Sequence, residues 1–309
     1  MACIYEYGNL NLVVNPKPFG GFRGEIGTLG VIYGENALPF TSWEKNDLKA
    51  LATLTQKILS IHEMNHVCNT LIYGRQNAGG FILEFVPYPK CDWREKVQGA
   101  FHAVFGSPRL QESDIDAITL FYQEYFKSGE EEQKELGEDE DDALQFLLKN
   151  PPAGKPDPFC RAEVIDRQRI TSKETRHGKY DILHDNRPKG AVKSDPHILI
   201  VPEDDAGHVD GAQVSVEMRV DMLSMVQEAM QAFLNEGYTT LLYIERNGAE
   251  LQGVKHKHSH AVGIKHFPES FWEKTKSLFR LAWPGALSDT DLENRIKHYR
   301  TKLGHIKED

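Results

Sequence analysis

KHKHSHAVGI, residues 255–264, places three histidines at alternate positions, 256, 258 and 260, ahead of a short apolar run. Extended backbone sends successive side chains to opposite faces, so on a strand the three imidazoles share one face. Three adjacent imidazoles make a poor core, because each needs a polar partner once buried. Two uses fit them. Imidazole suits zinc, copper or iron, and a neutral imidazole also attacks phosphorus while its neighbours donate hydrogen bonds to phosphoryl oxygens. A polar, histidine-rich edge strand is the alternative without function.

The segments before this run set its context. TTLLYIERNGA (239–249) reads as a strand turning at Asn247-Gly248, which with the next strand gives a hairpin pattern. Ahead of it, VSVEMRVDMLSMVQEAMQAFLNEG carries Val216, Val220, Leu223, Met230 and Phe233 at helical spacing, with Gly237 placed to end the helix. HILIVP (197–202) is a further short strand.

The same order occurs earlier in the chain. LGVIYG (29–34) is strand-like, and a helix starting near Ser42 presents Leu48, Leu51, Leu54, Ile58 and Ile61 on one face. TLIYGRQNAG (70–79) and FILEFVPYP (81–89) follow. TLIYGRQNAG echoes TTLLYIERNGA, and EKVQGAF (95–101) echoes EKTKSLF (273–279). An ordered internal repeat is expected. Between the halves, SGEEEQKELGEDEDD (128–142) is a block of like charge and PPAGKPDP (151–158) favours extended chain. This stretch reads as a connection, with the acidic run a candidate docking tail for a basic partner. From Ser288 a charged helix is expected, with Leu292, Ile296, Tyr299 and Leu303 as its apolar stripe.

The 309 residues suit two domains of ordinary soluble composition, 40% hydrophobic and 27% charged. A net charge of −10 argues against broad nucleic-acid binding. MACIYEYGNLN lacks the basic and apolar regions of a signal peptide, and no apolar run is long enough to span a bilayer. The four cysteines form no C-x-x-C pair. Reduced thiols and a cytoplasmic location are the expectation.

The segments from about Pro158 to Ile264 resemble the histidine-triad superfamily, which includes nucleotide hydrolases and galactose-1-phosphate uridylyltransferases. PFC (158–160), YDILHDNRPKG (180–190), HILIVP and HKHSHAV occur in that family's order. The resemblance implies that His258 attacks the α-phosphorus and forms a nucleotidyl-histidine intermediate. It implies that His260 contacts the phosphoryl group and aids departure of the leaving group, that His256 orients the nucleophile, and that His197 supports the network. Asp185 would hold the ribose hydroxyls, and Gln252 would contact the phosphate or leaving group.

The implied fold is α+β: two tandem histidine-triad-like units, each an antiparallel sheet with helices packed on one face. Residues 1–127 would be a degenerate unit without a triad, 128–158 the acidic and proline-rich linker, and 159–309 the catalytic unit with its C-terminal helix. The third triad position divides the superfamily: transferases carry glutamine there and hydrolases histidine. His260 therefore favours hydrolysis of a nucleoside monophosphate–leaving group bond. The two-half layout favours the alternative, a nucleotidyltransferase or dinucleoside polyphosphate phosphorylase. The expected partner is a nucleotide, a purine by family habit, with no cofactor, no metal and no membrane, and with room for a homodimer. Lys257 and Ser259 depart from the apolar residues usual between the histidines. A lysine there must snorkel or meet solvent or an anion, and this departure motivates a third reading, a non-catalytic nucleotide-binding or interaction module.

Two other motifs compete. HEMNH (62–66) matches H-E-x-x-H, a zinc-peptidase pattern, but lies at the end of its helix with no evident third ligand. GGFRG (20–24) lacks the lysine-serine/threonine ending of a phosphate loop and reads as a turn. Tyr88, Trp93 and Trp272 are expected as core or interface aromatics.

Overall fold

The computed structural model describes residues 2–18, 26–34, 38–67, 69–132, 158–203, 213–248, 251–252, 254, 256–266, 268–282 and 285–304. The GGFRG turn, Cys68 and most of the acidic and proline-rich connection lie outside them. The first half runs β1 (Ala2–Tyr7), β2 (Leu10–Val14), β3 (Leu29–Tyr33), α1 (Lys45–Met64), β4 (Thr70–Asn77), β5 (Gly80–Pro87), α2 (Trp93–Phe105) and α3 (Glu112–Glu132). The second runs α4 (Ala162–Gln168), β6 (Arg169–Thr175), β7 (Gly178–His184), β8 (His197–Pro202), α5 (Val216–Asn235), β9 (Thr240–Asn247), β10 (Ser259–Ile264), α6 (Phe271–Ala282) and α7 (Asp289–Leu303). The start of the acidic run, from Ser128 to Glu132, thus continues α3 rather than linker.

Among the described residues ten strands form a single antiparallel sheet, in the order β1-β2-β3-β5-β4-β9-β10-β8-β7-β6. The expectation of one sheet per half is corrected by the β4–β9 ladder, which joins them. Outward from that seam the connectivity is the same on both sides, with α1 between β3 and β4 and α5 between β8 and β9. Helices α1 and α5 pack on each other and on one sheet face. Leu48, Leu51, Leu54, Ile58 and Ile61 share a continuous core with Val226, Met230 and Phe233. α1 starts at Lys45 rather than Ser42 because Phe40–Ser42 forms a 3-10 turn; Glu44 and Asp47 then cap it reciprocally. α7 buries Leu292, Ile296, Tyr299 and Leu303 and has Ser288 as its N-cap.

The echo between TLIYGRQNAG and TTLLYIERNGA does not survive as a residue-by-residue equivalence. Aligning its Tyr and Asn positions matches Tyr73 with Tyr243, yet Tyr243 lies in the helix-side core while Tyr73 packs with Leu242, Val262 and Ile264 in a separate cluster. Side chains alternate between faces, so a shift of one residue exchanges them. The repeat lies in the connectivity, one register step away from the letter match. The two hairpins also differ. Asn77 pairs with Gly80 across the two-residue turn Ala78-Gly79, whereas residues 248–258 separate β9 from β10, so Asn247-Gly248 does not close a tight hairpin.

H-E-x-x-H does not form a metal pair. His62 is fully buried, with Nδ1 2.7 Å from Thr70 Oγ1 and Nε2 2.8 Å from Tyr122 OH, which occupies both ring nitrogens. His66 lies beyond the helix, exposed and at positive φ. Of the three aromatics, Tyr88 is buried, whereas Trp93 and Trp272 are 69% and 72% exposed and belong to no core. No helix among the described residues is long and apolar enough to cross a membrane.

Gly74 marks the tightest point of the seam. A Cβ there would stand 2.6 Å from Phe81 Cζ and 3.0 Å from Tyr243 Cβ. Phe81 cannot easily yield, because Phe40 and Trp43 pack on it. Gly74→Ala is expected to lower the unfolding free energy by about 1–3 kcal/mol through overpacking. Denaturant titration of the purified variant checks this; an unchanged midpoint would contradict it.

Candidate active site

β8 and β10 lie side by side, with His260 opposite Leu199 and Val262 opposite His197. Strand alternation puts His260 and His197 on the sheet face away from α1 and α5. Nε2 of His197 is 2.8 Å from Nδ1 of His260, and their rings stack with centroids 5.0 Å apart. On its other side, Nδ1 of His197 is 3.0 Å from Asp185 Oδ2. Burial raises the Asp185 carboxyl, but the charge and hydrogen bond of His197, with the Arg187 amide, bring it down to about 2. Asp185 is therefore ionised, and the shared proton sits on Nδ1 of His197. In the neutral His197 tautomer that donates Nδ1–H to Asp185, Nε2 accepts from Nδ1–H of His260, which leaves the lone pair of His260 on Nε2. That nitrogen is buried and, among the described residues, has no hydrogen-bond partner.

Only His260 of the trio is in the strand; β10 begins at Ser259. His256, Lys257 and His258 belong to the connection before it, which corrects the expectation of one continuous histidine strand. His258 nevertheless lies beside His260, its ring centroid 4.6 Å away in an edge-to-face arrangement, and Phe159 closes the other side at 5.3 Å. Nδ1 of His258 is 2.8 Å from the carbonyl oxygen of His256. A carbonyl only accepts, so Nδ1 carries the hydrogen and the Nε2 lone pair is free. Burial holds the His258 imidazole down to about 3, and Arg246, Lys189 and Lys257 add to this against the His256 hydrogen bond. Burial likewise places His260 well below the usual histidine range, with His258 and His197 contributing. Both rings are neutral at neutral pH.

His256 points elsewhere: its Nε2–H donates to the Pro202 carbonyl at the end of β8. It orients His258 through its backbone oxygen rather than its ring. Gln252 is buried, and its Nε2 donates to the Arg246 carbonyl at 3.1 Å. Asp185, expected at the ribose, has Oδ1 on the Arg187 amide at 2.9 Å and Oδ2 on His197. The structure thus brings together His258, His260, His197 and Asp185, with His256 and Gln252 bracing the connection. Among the described residues, no group of three or more His, Cys, Asp or Glu side chains is arranged to hold a metal ion.

Lys257 does not snorkel. It faces the helix side, where its Nζ lies 2.7 Å from Glu245 Oε1 and also reaches Asn247 Oδ1. Arg219 of α5 approaches the same carboxylate oxygen at 2.6 Å, and Tyr243 OH donates to Oε2. Lys257, Glu245 and Arg219 are all at most 2% exposed. Burial would raise the Glu245 carboxyl, but Arg219 and Lys257 hold it well below the usual range. The anion that a lysine in this slot requires is supplied internally. The sequence contains all three residues, but nothing in their spacing announces the group. Lys189 and Arg246, two cations beside the histidines, were also missed.

The chain matches no family model, and no curated protein matches it. Among solved structures it is similar to a uridylyltransferase mutant, 10% identical, with 89% of this chain and 78% of that chain covered and a TM-score of 0.48. It is similar to a DUF4931 family protein from Bacillus cereus ATCC 10987, 9% identical, covering 97% of this chain and 100% of that chain at 0.46. A third is an ADP-glucose phosphorylase from Arabidopsis thaliana with bound ADP-glucose, 12% identical, covering 87% and 81% at 0.47. The chemistry rests on the residues of the site.

Glu245→Gln would leave two buried cations without their carboxylate and is expected to cost about 3–5 kcal/mol. Replacing the whole group by Arg219→Met, Glu245→Leu and Lys257→Met should recover much of that loss. Urea unfolding of both variants checks this; equal destabilisation of the two would contradict a charge-based cost.

Proposed function

We propose that this chain cleaves a nucleoside monophosphate from its leaving group through a covalent nucleotidyl intermediate on His258. The supporting observation is the His258 tautomer: Nδ1–H is tied to the His256 carbonyl, so the free lone pair is on Nε2, beside the His260 ring. Nε2 attacks the α-phosphorus, the Nε2–P bond forms and the bond to the leaving oxygen breaks. Splitting one displacement into two suits an imidazole held neutral and pre-oriented.

Water is the proposed acceptor in the second step. The buried, unpartnered Nε2 of His260 is a base placed to take its proton, and the Asp185–His197 pair steadies the charge that His260 gains. The water oxygen bonds to phosphorus, the Nε2–P bond breaks, and His258 regains its lone pair. The two halves are read as tandem histidine-triad-like units on the strength of their shared connectivity, with only the second equipped for chemistry. Transfer to a phosphate acceptor is the second reading, favoured by the cations Lys189 and Arg246 beside the histidines.

A panel of adenylyl, guanylyl and uridylyl compounds, assayed with and without added phosphate, tests the reaction and its acceptor. His258→Ala is expected to lower turnover by at least about 10³-fold; survival of most activity would overturn the mechanism. Because the lowered pKa keeps His258 unprotonated as pH falls through 6.5, kcat/KM should show no loss near pH 6–7 from its protonation. A single acid limb at about 6.5 that disappears in no other variant would contradict the neutral, enclosed nucleophile.

A further inference from the structure

The peptide bond joining His256 to Lys257 carries the oxygen that settles the His258 tautomer, 2.8 Å from Nδ1 of that ring. This peptide lies ahead of both ladders of β10. The pairing begins one residue after His258, where Ser259 meets Glu245 on β9 and Ile200 on β8. Ladder hydrogen bonds are what orient the carbonyls of a strand. Here something else must aim the oxygen.

The side chains at the two ends of that peptide are tied to the two strands that flank β10. At one end the His256 ring donates Nε2–H to the Pro202 carbonyl at the end of β8. At the other, the Lys257 chain passes to the helix side, where Nζ lies 2.7 Å from Glu245 Oε1 and reaches Asn247 Oδ1. Glu245 and Asn247 both belong to β9, and Asn247 in turn donates Nδ2–H to the Thr70 carbonyl of β4. His256 and Lys257 are each 1% exposed. A peptide unit is planar, so tying the residues at both its ends leaves the oxygen little freedom to turn.

A buried lysine is a costly way to make such a tie. An apolar side chain would fill the same space with no ion to desolvate, but apolar contact has no direction. An ammonium must stay on its carboxylate. Glu245 is kept ionised for it: burial would raise the carboxyl, and Arg219 and Lys257 hold it well below the usual range. The Lys257 charge also helps to keep the His258 ring neutral, after burial, Arg246 and Lys189. A group that served stability alone could be exchanged for apolar side chains without loss of chemistry.

The geometry points to Lys257 as a positioning residue for the nucleophile: locked on Glu245, it replaces the missing ladder and keeps the His256 carbonyl on Nδ1 of His258. The inference rests on His258 as nucleophile. Lys257 lies on the opposite side of the sheet from the reacting atoms and touches none of them. Its effect is on which nitrogen of His258 carries the lone pair, and on where that nitrogen points. Loss of the tie should let the ring exchange its tautomers, and only the one with Nε2 bare can attack phosphorus.

Two variants of the full chain test this. Lys257→Met removes the ammonium and leaves Arg219 on Glu245, whereas Arg219→Met, Glu245→Leu and Lys257→Met together replace all three ions by apolar side chains. Thermal unfolding confirms that each is folded, and should one fail to fold, the other still decides. NMR of the imidazole nitrogens in the isotope-labelled protein reads the tautomer without substrate, with His258→Ala to assign the signal. The unaltered protein is expected to carry the His258 hydrogen on Nδ1, and both variants to shift toward an average of the two tautomers. Turnover of the p-nitrophenyl esters of AMP and UMP gives the second readout. In both variants kcat is expected to fall at least about tenfold while KM changes less than about threefold. Either an unchanged tautomer or an unchanged kcat in a folded variant would overturn the positioning role and leave His258 as nucleophile. Turnover that persists in His258→Ala would overturn the nucleophile instead.

Discussion

Glu245 is the residue on which the site depends. It sits at the inner end of β9, on the helix side of the sheet, where Arg219 of α5 and Lys257 of the connection both reach Oε1. Residues before β10 lack a strand ladder to hold them, so the segment carrying His256 and His258 needs another anchor. Lys257 provides it. Its side chain enters the interior on one face while His258 stands on the other, an alternation that continues the strand pattern beyond the last paired residue. A buried ion group of this kind adds little net stability, and its use is better understood as fixing one arrangement.

The rest of the architecture brings partners to that anchor. Across the seam Glu245 faces Ile72 of β4, so the first half lines the helix-side core beneath the group even though it carries no histidine cluster. The same seam leaves β8 beside β10, which sets His197 against His260 and aligns Asp185 behind it. Asp185, His197 and His260 form one hydrogen-bonded row ending in a bare nitrogen, and His258 presents a second bare nitrogen beside it. The tautomer of His258 is decided by the His256 carbonyl, which only accepts, and that of His260 by the His197 ring, itself tied to the Asp185 carboxylate.

Much of this was legible in the sequence because hydrophobic periodicity is strong where elements are long. The faces of α1, α5 and α7, the strands from HILIVP and the connectivity of the two halves all follow from spacing. Letter matching misled at the seam: Tyr73 and Tyr243 look equivalent but point to opposite faces, because nothing in a sequence marks a one-residue step in register. The strand through 255–264 was overextended for a related reason, since alternating residues continue past the point where ladder bonds stop. Lys257 read as a blemish because its partner, Glu245, is remote in spacing and met only through the sheet. Lys189 lies in YDILHDNRPKG and Arg246 in TTLLYIERNGA, yet neither stood out, because the placement of both near the histidines shows only in the folded chain.

The most direct measurement is to mix the protein with a nucleotide substrate radiolabelled in the α-phosphate, quench in alkali and map the label. The account predicts a phosphoramidate on His258 at Nε2, stable to alkali and lost in acid, and absent from His258→Ala. Label on any other residue, or none while turnover proceeds, would contradict it.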